Sequence, residues 1–336
     1  MKNNWSKKAT LLLAAICVAL SVINSAVVKP KAAWLLQVDG VPIYRELYTY
    51  YLSEALRNPA YSDAAKDEKQ RKALREDVAR RCMAFIAVNS ELHNMWQVLE
   101  QQYKAQVAER AGFLWRTFGD YYSAIGVGKE TITQVATYKA NQKQLFFSIY
   151  DAGSRKVPEQ QIKDYFYRTH AAYEGLRVFR TALDATEDGG GERPMTAAES
   201  EALRKKLVAL AEEINKGKDF FTACEEHAAD LSYAAPSTAE LRRGDADFTE
   251  AEFEKVRQLD PSKVTVLEFP GFFLLARGVN MGEGDNPREY YDPQRGECLW
   301  EMKQAEYAVL LEELTASYRA DENEAAVEDL LDAWKW

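Results

Sequence analysis

The sequence predicts an α+β protein: a mainly helical lobe built from the N- and C-terminal segments, with a smaller domain of mixed strands and helices inserted into it. Apolar residues recur at helical steps from Leu74 to Leu99, among Ile132, Val135, Leu145, Phe146 and Ile149, from Tyr307 to Tyr318, and from Val327 to Trp334, which is the spacing of helix faces. From Leu176 the pattern changes to apolar runs at 177–183, 264–267 and 272–276, punctuated by Gly and Pro, which read as strands. Terminal helices with such wide apolar faces cannot bury them alone. They are expected to return onto the N-terminal helices.

Within the 336 residues, Lys2, Lys7 and Lys8 precede an apolar run from Leu11 to Val28. Positive charge followed by hydrocarbon is the pattern of a Sec export signal or a single membrane anchor, assigned to residues 1–32. Asn24-Ser25-Ala26 offers small residues for cleavage, while the continuation to Val28 favours retention. A lipid on Cys17 is disfavoured by the bulky Ile16 before it and the apolar residues after it. Either way the remainder is expected outside the cytoplasm, anchored to the cell membrane or secreted.

Trp34–Ile43 reads as two short extended segments about an Asp39-Gly40 turn. A helix with Leu47, Tyr50, Tyr51 and Leu52 follows and stops at Asn58-Pro59. A long helix is expected to carry Leu74, Val78, Cys82, Phe85, Val88, Leu92, Trp96 and Leu99 on one face. Gly112 and Gly119 mark expected breaks, and Gly126 and Gly128 a turn before the next helix. Val157-Pro158-Glu159 opens another helix. In the inserted domain, Thr196 and Glu199 form a capping box and Gly217 ends the helix they begin. Asp219–Asp230 reads as the following helix. The expected divisions are 33–174 for the helical lobe, 175–280 for the inserted domain, and 281–336 for a linker and helices completing the lobe.

Composition narrows the function. Asp and Glu number 52 against 43 Lys and Arg, a net charge of −9, so the basic face that nucleic acid requires is not expected. Cys82, Cys224 and Cys298 are too few and too scattered for a disulfide framework, and Cys82 and Cys224 are expected as small buried helix residues. Cys224 and His227 share a helix face at i, i+3, but a zinc site needs three or four ligands and only His93 and His170 remain as further histidines. Gly126-Val127-Gly128-Lys129-Glu130 fails as a phosphate loop because Ser123 and Glu130 replace the required Gly and Ser/Thr. No metal and no cofactor are expected. Tyr48, Tyr50, Tyr51, Tyr121, Tyr122, Tyr290 and Tyr291 cluster closely enough that some should be exposed.

Asp219-Phe220-Phe221-Thr222-Ala223-Cys224-Glu225-Glu226-His227-Ala228-Ala229-Asp230, followed by Ala239-Glu240-Leu241, resembles the "DFAELAKEYSDD…GGDLG" core of parvulin-type prolyl isomerases. Gln37–Ile43 with Glu46-Leu47 is similar to the "VNGxPIxxxEL" motif of SurA-like and PrsA-like foldases, and Val157–Phe166 to their "VTDEEIKAYY" helix. The resemblance implies a helical chaperone lobe, a parvulin-like domain and a C-terminal helix completing the lobe. It places Arg180 and Phe273 where catalytic members have paired histidines, and Asp230 where many have Asp or Cys. It also sets Phe253 in the proline pocket, with Thr249 in place of a methionine and Leu241 beside it.

Rotation about a peptide bond faces a barrier of ~18–20 kcal/mol. An isomerase lowers it by holding the twisted amide in an apolar cleft with placed hydrogen bonds. Phe273 can neither donate nor accept a hydrogen bond, and Arg180 carries a permanent charge. The expectation is therefore a chaperone for unfolded or exported polypeptides with a non-catalytic parvulin-like domain. An active isomerase with an atypical site, and a dedicated assembly partner of one surface protein, are the alternatives. Nothing in the sequence fixes the oligomeric state.

Overall fold

The computed structural model describes residues 33–95, 97–184, 191–227, 235–282 and 287–334. The export or anchor segment, Trp96 and Asp230 lie outside the described residues. The chain divides into two compact units: residues up to Lys156 together with Lys303 onward, and Val157–Met302. No described helix is long and apolar enough to cross a membrane.

The first unit begins with strands β1 (Leu36–Val38) and β2 (Val41–Ile43). Asp39 and Gly40 join them with φ of 46° and 83°, the left-handed geometry that Asp-Gly tolerates. Helix α1 (Arg45–Ala55) follows. Helix α2 (Glu68–Asn94) starts where the Asp67 carboxylate accepts the Lys69 and Gln70 N–H groups. The face predicted to run to Leu99 ends at Asn94, because Gln144 captures the chain beyond it. The Gln144 amide donates to the Val98 carbonyl at 3.2 Å and accepts the Glu100 N–H at 3.2 Å. Helix α3 (Gln101–Ala124) runs straight through Gly112 and Gly119, contrary to the predicted breaks. Burial of Tyr103, Val107, Ala111 and Tyr122 outweighs the roughly 0.5–1 kcal/mol that each helical glycine costs. Gly126, with φ 81°, turns the chain into α4 (Lys129–Tyr150).

The second unit begins with α5 (Glu159–Thr169) and β3 (His170–Phe179). The strand starts at His170, earlier than the pattern change at Leu176 suggests. It also stops at Phe179, and 181–183 join a separate ribbon of β4 (Thr181–Asp184) and β5 (Gly191–Pro194). Arg180 makes the switch: its N–H donates to the Gly271 carbonyl and its own carbonyl accepts the Met195 N–H, both at 3.0 Å. The Thr196–Glu199 capping box opens α6 (Ala197–Asn215) as predicted, and Arg193 grips the Glu199 carboxylate at 2.7 and 2.9 Å.

Helix α7 (Phe220–Glu226) is capped by Asp219, and residues 228–230 of the expected Asp219–Asp230 helix lie outside the described residues. Strand β6 (Ser237–Arg242), helix α8 (Glu250–Arg257), β7 (Thr265–Glu268) and β8 (Phe272–Gly278) complete an antiparallel sheet in the order β6-β3-β8-β7. Helices α6 and α7 cover one face, packing on Leu176, Val178, Phe273 and Leu275. Helix α8 covers the other, where Phe253 and Val256 meet Ala171, Tyr173, Leu241 and Leu274.

Helix α9 (Pro287–Ala316) carries the chain out of this unit, and its residues from Lys303 onward belong to the first. There the Tyr307 hydroxyl donates to the Gln142 carbonyl at 2.7 Å. Strand β9 (Ala320–Glu322) pairs with β1, placing β1 between β2 and β9. Helix α10 (Glu324–Asp332) then buries Val327, Leu330 and Leu331 against β1, α1 and α2. The Arg75 guanidinium bridges Glu322 and Glu328, and Arg71 bridges Glu328 and Asp332. Arg75→Ala would leave the half-buried Glu322 without its cation and Glu328 with Arg71 alone. The expected loss is about 1–3 kcal/mol, read as a lower urea midpoint at unchanged slope.

Candidate functional site

The first unit contains a cleft of ≈ 690 Å³ between β2, α1, α2 and α4. Its floor is apolar: Ile43, Leu47, Ile86 and Leu92 are buried there, with Phe85 and Leu99 half-buried beside them. Its rim carries the amides and hydroxyls of Asn89, Gln97, Thr133, Gln134, Thr137 and Asn141, beside Glu46, Glu130 and His93. The Asn141 amide donates to the Asn89 carbonyl oxygen at 2.7 Å, tying α4 to α2 across the cleft. Glu46, at the near wall, accepts the Gly128 N–H at 3.2 Å and the Thr131 hydroxyl at 2.9 Å. Gly128 supplies no side-chain cap to α4, and Glu46 takes the Gly128 N–H as an N3 carboxylate does in a capping box. An apolar floor with uncharged polar groups suits a polypeptide segment, whose side chains are varied and whose backbone always needs partners.

Exposed aromatics occur elsewhere on the same unit. Phe113, Phe118 and Tyr121 on α3 are 52%, 46% and 44% exposed, and steps of five and three residues keep them within one half of the helix circumference. Of the seven clustered tyrosines only Tyr121 is exposed; Tyr50 is half-buried and the other five are buried. Burial raises the Tyr51 hydroxyl well above its ordinary range, so Tyr51 is neutral core. The two phenylalanines were not singled out from the sequence, although the unpaired apolar positions of α3 carried the signal. The apolar face read on α9 is also incompletely covered: Tyr307 is buried, whereas Leu310, Leu311 and Leu314 are half-exposed.

In the second unit the sheet separates the residues singled out by resemblance. Phe273, 1% exposed, packs with α6 and α7, and the Arg180 guanidinium lies 5.1 Å from the centre of its ring. The same guanidinium donates to Glu268 at 3.0 Å. Leu241 and Phe253 lie on the opposite face, beneath α8. Thr249 is the cap of α8, its hydroxyl accepting the Glu252 N–H and donating to the Glu252 carboxylate. Arg180 and Phe273 therefore meet each other, as do Leu241 and Phe253, but the two pairs do not share a surface. On the α8 face stands a residue that the sequence reading passed over. Arg177 lies 4.7 Å from the Phe272 ring centre and 5.2 Å from that of Phe248.

Burial pushes the Cys224 thiol up to about 11, and His227 stands 3.6 Å from Glu213 at the end of α7. Among the described residues no group of three or more His, Cys, Asp or Glu could hold a metal ion. His170 stacks 4.6 Å from the Phe166 ring, and its pKa lies below the ordinary histidine value. Burial is the main cause, lowering its pKa, with Arg242 lowering and the Phe166 carbonyl and Asp245 raising it.

The unfolded chain therefore binds a proton that the folded form resists. The contribution of neutral His170 is full above the unfolded value of about 6.5 and is lost as pH falls through the lower folded value. Urea midpoints measured across this window should fall with acidification in the native chain. They should fall less steeply in His170→Phe.

No protein-family model and no curated protein matches the sequence. Among solved structures, foldase protein PrsA from Streptococcus pneumoniae aligns at 10% identity over 76% of this chain and 86% of that one, with a TM-score of 0.38. PrsA from Lactococcus lactis aligns at 10% identity over 90% of this chain and 98% of that one, TM-score 0.39. A SurA-like chaperone of Campylobacter jejuni aligns at 11% identity over 86% and 99%, TM-score 0.30. The chain is thus similar to solved structures of PrsA and of a SurA-like chaperone.

Proposed function

We propose that the protein is an extracytoplasmic folding chaperone that holds unfolded or exported polypeptides, and that its parvulin-like domain binds or spaces without catalysing isomerisation. The cleft in the helical unit carries this reading, since it joins an apolar floor to a rim of amides able to satisfy a client backbone. The exposed Phe113, Phe118 and Tyr121 add apolar surface outside the cleft. Residues 1–32 supply the route out of the cytoplasm and, where retained, a tether to the membrane.

The non-catalytic reading rests on substitution and burial. A twisted prolyl amide needs hydrogen-bond donors placed about it in an accessible cleft. Phe273 is buried and offers none, and Phe253 is itself 1% exposed. Arg180 is occupied by Glu268 and the Phe273 ring.

Two assays on the full chain test the proposal. Light scattering should show suppressed aggregation of several unrelated unfolded clients. Thr133→Trp, which inserts a large ring at an exposed position on the cleft rim, should weaken client-peptide binding roughly tenfold, about 1.4 kcal/mol. Suppression restricted to a single client would favour the dedicated assembly partner instead. In the second assay, prolyl isomerisation of a model peptide should proceed at its uncatalysed rate. Acceleration that disappears in Phe253→Ala would overturn the non-catalytic reading.

A further inference from the structure

The charge of the cleft narrows the class of client. It is lined by two carboxylates, Glu46 and Glu130, and one histidine, His93, but by no lysine or arginine. Glu46 is fixed in place by the Gly128 N–H and the Thr131 hydroxyl. Glu130 is exposed on the first turn of α4 and forms no ion pair among the described residues. The positive end of the α4 dipole and the neighbouring exposed Lys129 act against these carboxylates, but Lys129 does not line the cleft. An apolar cleft walled by low-dielectric protein concentrates the field of the charges at its mouth.

We infer that the cleft selects apolar client segments flanked by lysine or arginine and disfavours those flanked by aspartate or glutamate. The inference rests on the chaperone reading above and assigns its clients a chemistry. Apolar side chains of the client occupy the floor of Ile43, Leu47, Phe85 and Leu99. Its flanking cation meets Glu130. Its backbone groups meet the amides of Asn89 and Gln134 rather than extending the sheet, because β2 is an edge strand whose central residue, Pro42, has no N–H to offer.

The test uses the full chain and short fluorescent peptides sharing one apolar centre and flanked by lysine, glutamine or glutamate. Anisotropy titrations at low salt should rank them lysine, glutamine, glutamate, spanning roughly fivefold in Kd, as one or two solvent-exposed charge pairs allow. High salt should compress the series. Glu130→Gln should narrow it and Glu130→Lys should invert it; the exposed position makes both variants tolerable to the fold. Equal affinity for the three peptides, or a ranking that neither Glu130 variant alters, would overturn the inference. So would sedimentation showing the cleft closed by a second copy, with peptide binding only on dissociation. In the first two cases suppression of aggregation would persist, so that loss of charge selectivity is distinguishable from failure of the chaperone reading.

Discussion

The helical unit depends on the double pairing of β1. Three residues, Leu36–Val38, hydrogen-bond on one side to β2 and on the other to β9, near the opposite end of the sequence. Leu36 and Val38 are essentially inaccessible to water. A strand this short has little stability of its own. What fixes it is the combination of a tight Asp39-Gly40 turn, a partner on each edge, and α10 laid over it. The Asn323 N–H donates to the Leu35 carbonyl, and the Asn323 side chain both donates to Trp34 and caps α10. One residue thus continues the sheet and starts the helix that covers it. This closure lets a unit be assembled from two distant stretches of chain, with 157–302 folded separately between them.

The cleft follows from that closure. β2 forms one wall with β1 held on its other edge by β9, and Glu46 of α1 ties down the start of α4 at the opposite wall. The buried polar atoms of this region make the same point in reverse. The Tyr48, Thr49 and Tyr51 hydroxyls are enclosed without a hydrogen-bond partner, a destabilising arrangement offset by the burial of their side chains among Leu36, Leu52, Cys82 and Val327. The rigid part of the unit is thus fully enclosed, whereas the cleft rim is made of groups that retain access to solvent. A binding surface for varied segments calls for such a division: fixed walls and adaptable amides.

Local chemistry was legible in the sequence wherever one residue type had only one good use. The Asp39-Gly40 turn, the Thr196–Glu199 box and the stop at Gly217, with φ 110°, are of this kind. The glycines at 112 and 119 misled because helix ends are decided by tertiary packing as well as propensity. Likewise His170-Ala171-Ala172-Tyr173-Glu174-Gly175 has little intrinsic strand preference. It is a strand because β6 pairs along its whole length and β8 from Tyr173 onward. The cleft was hidden for a related reason: its lining comes from four elements, and only Phe85, Leu92 and Leu99 had been read as one helix face. Arg180 and Phe273 were legible as residue types, but the side of the sheet they occupy was not. A shift of one residue in register reverses it.

The antiparallel register supplies the physical sense of that last point. Val178 pairs with Phe273 and Phe179 with Phe272, so neighbouring positions on β3 and β8 face opposite helical layers. On the α6 and α7 side, a phenylalanine contributes to an apolar core and an arginine closes its edge by stacking on the ring and binding Glu268. On the α8 side, Arg177 stacks between two phenylalanines and faces Asp247 at 3.5 Å. Each cation is held where an aromatic face and a carboxylate together offset its desolvation. Here both arginines are satisfied and the aromatic rings are packed, so these positions add to the stability of the sheet.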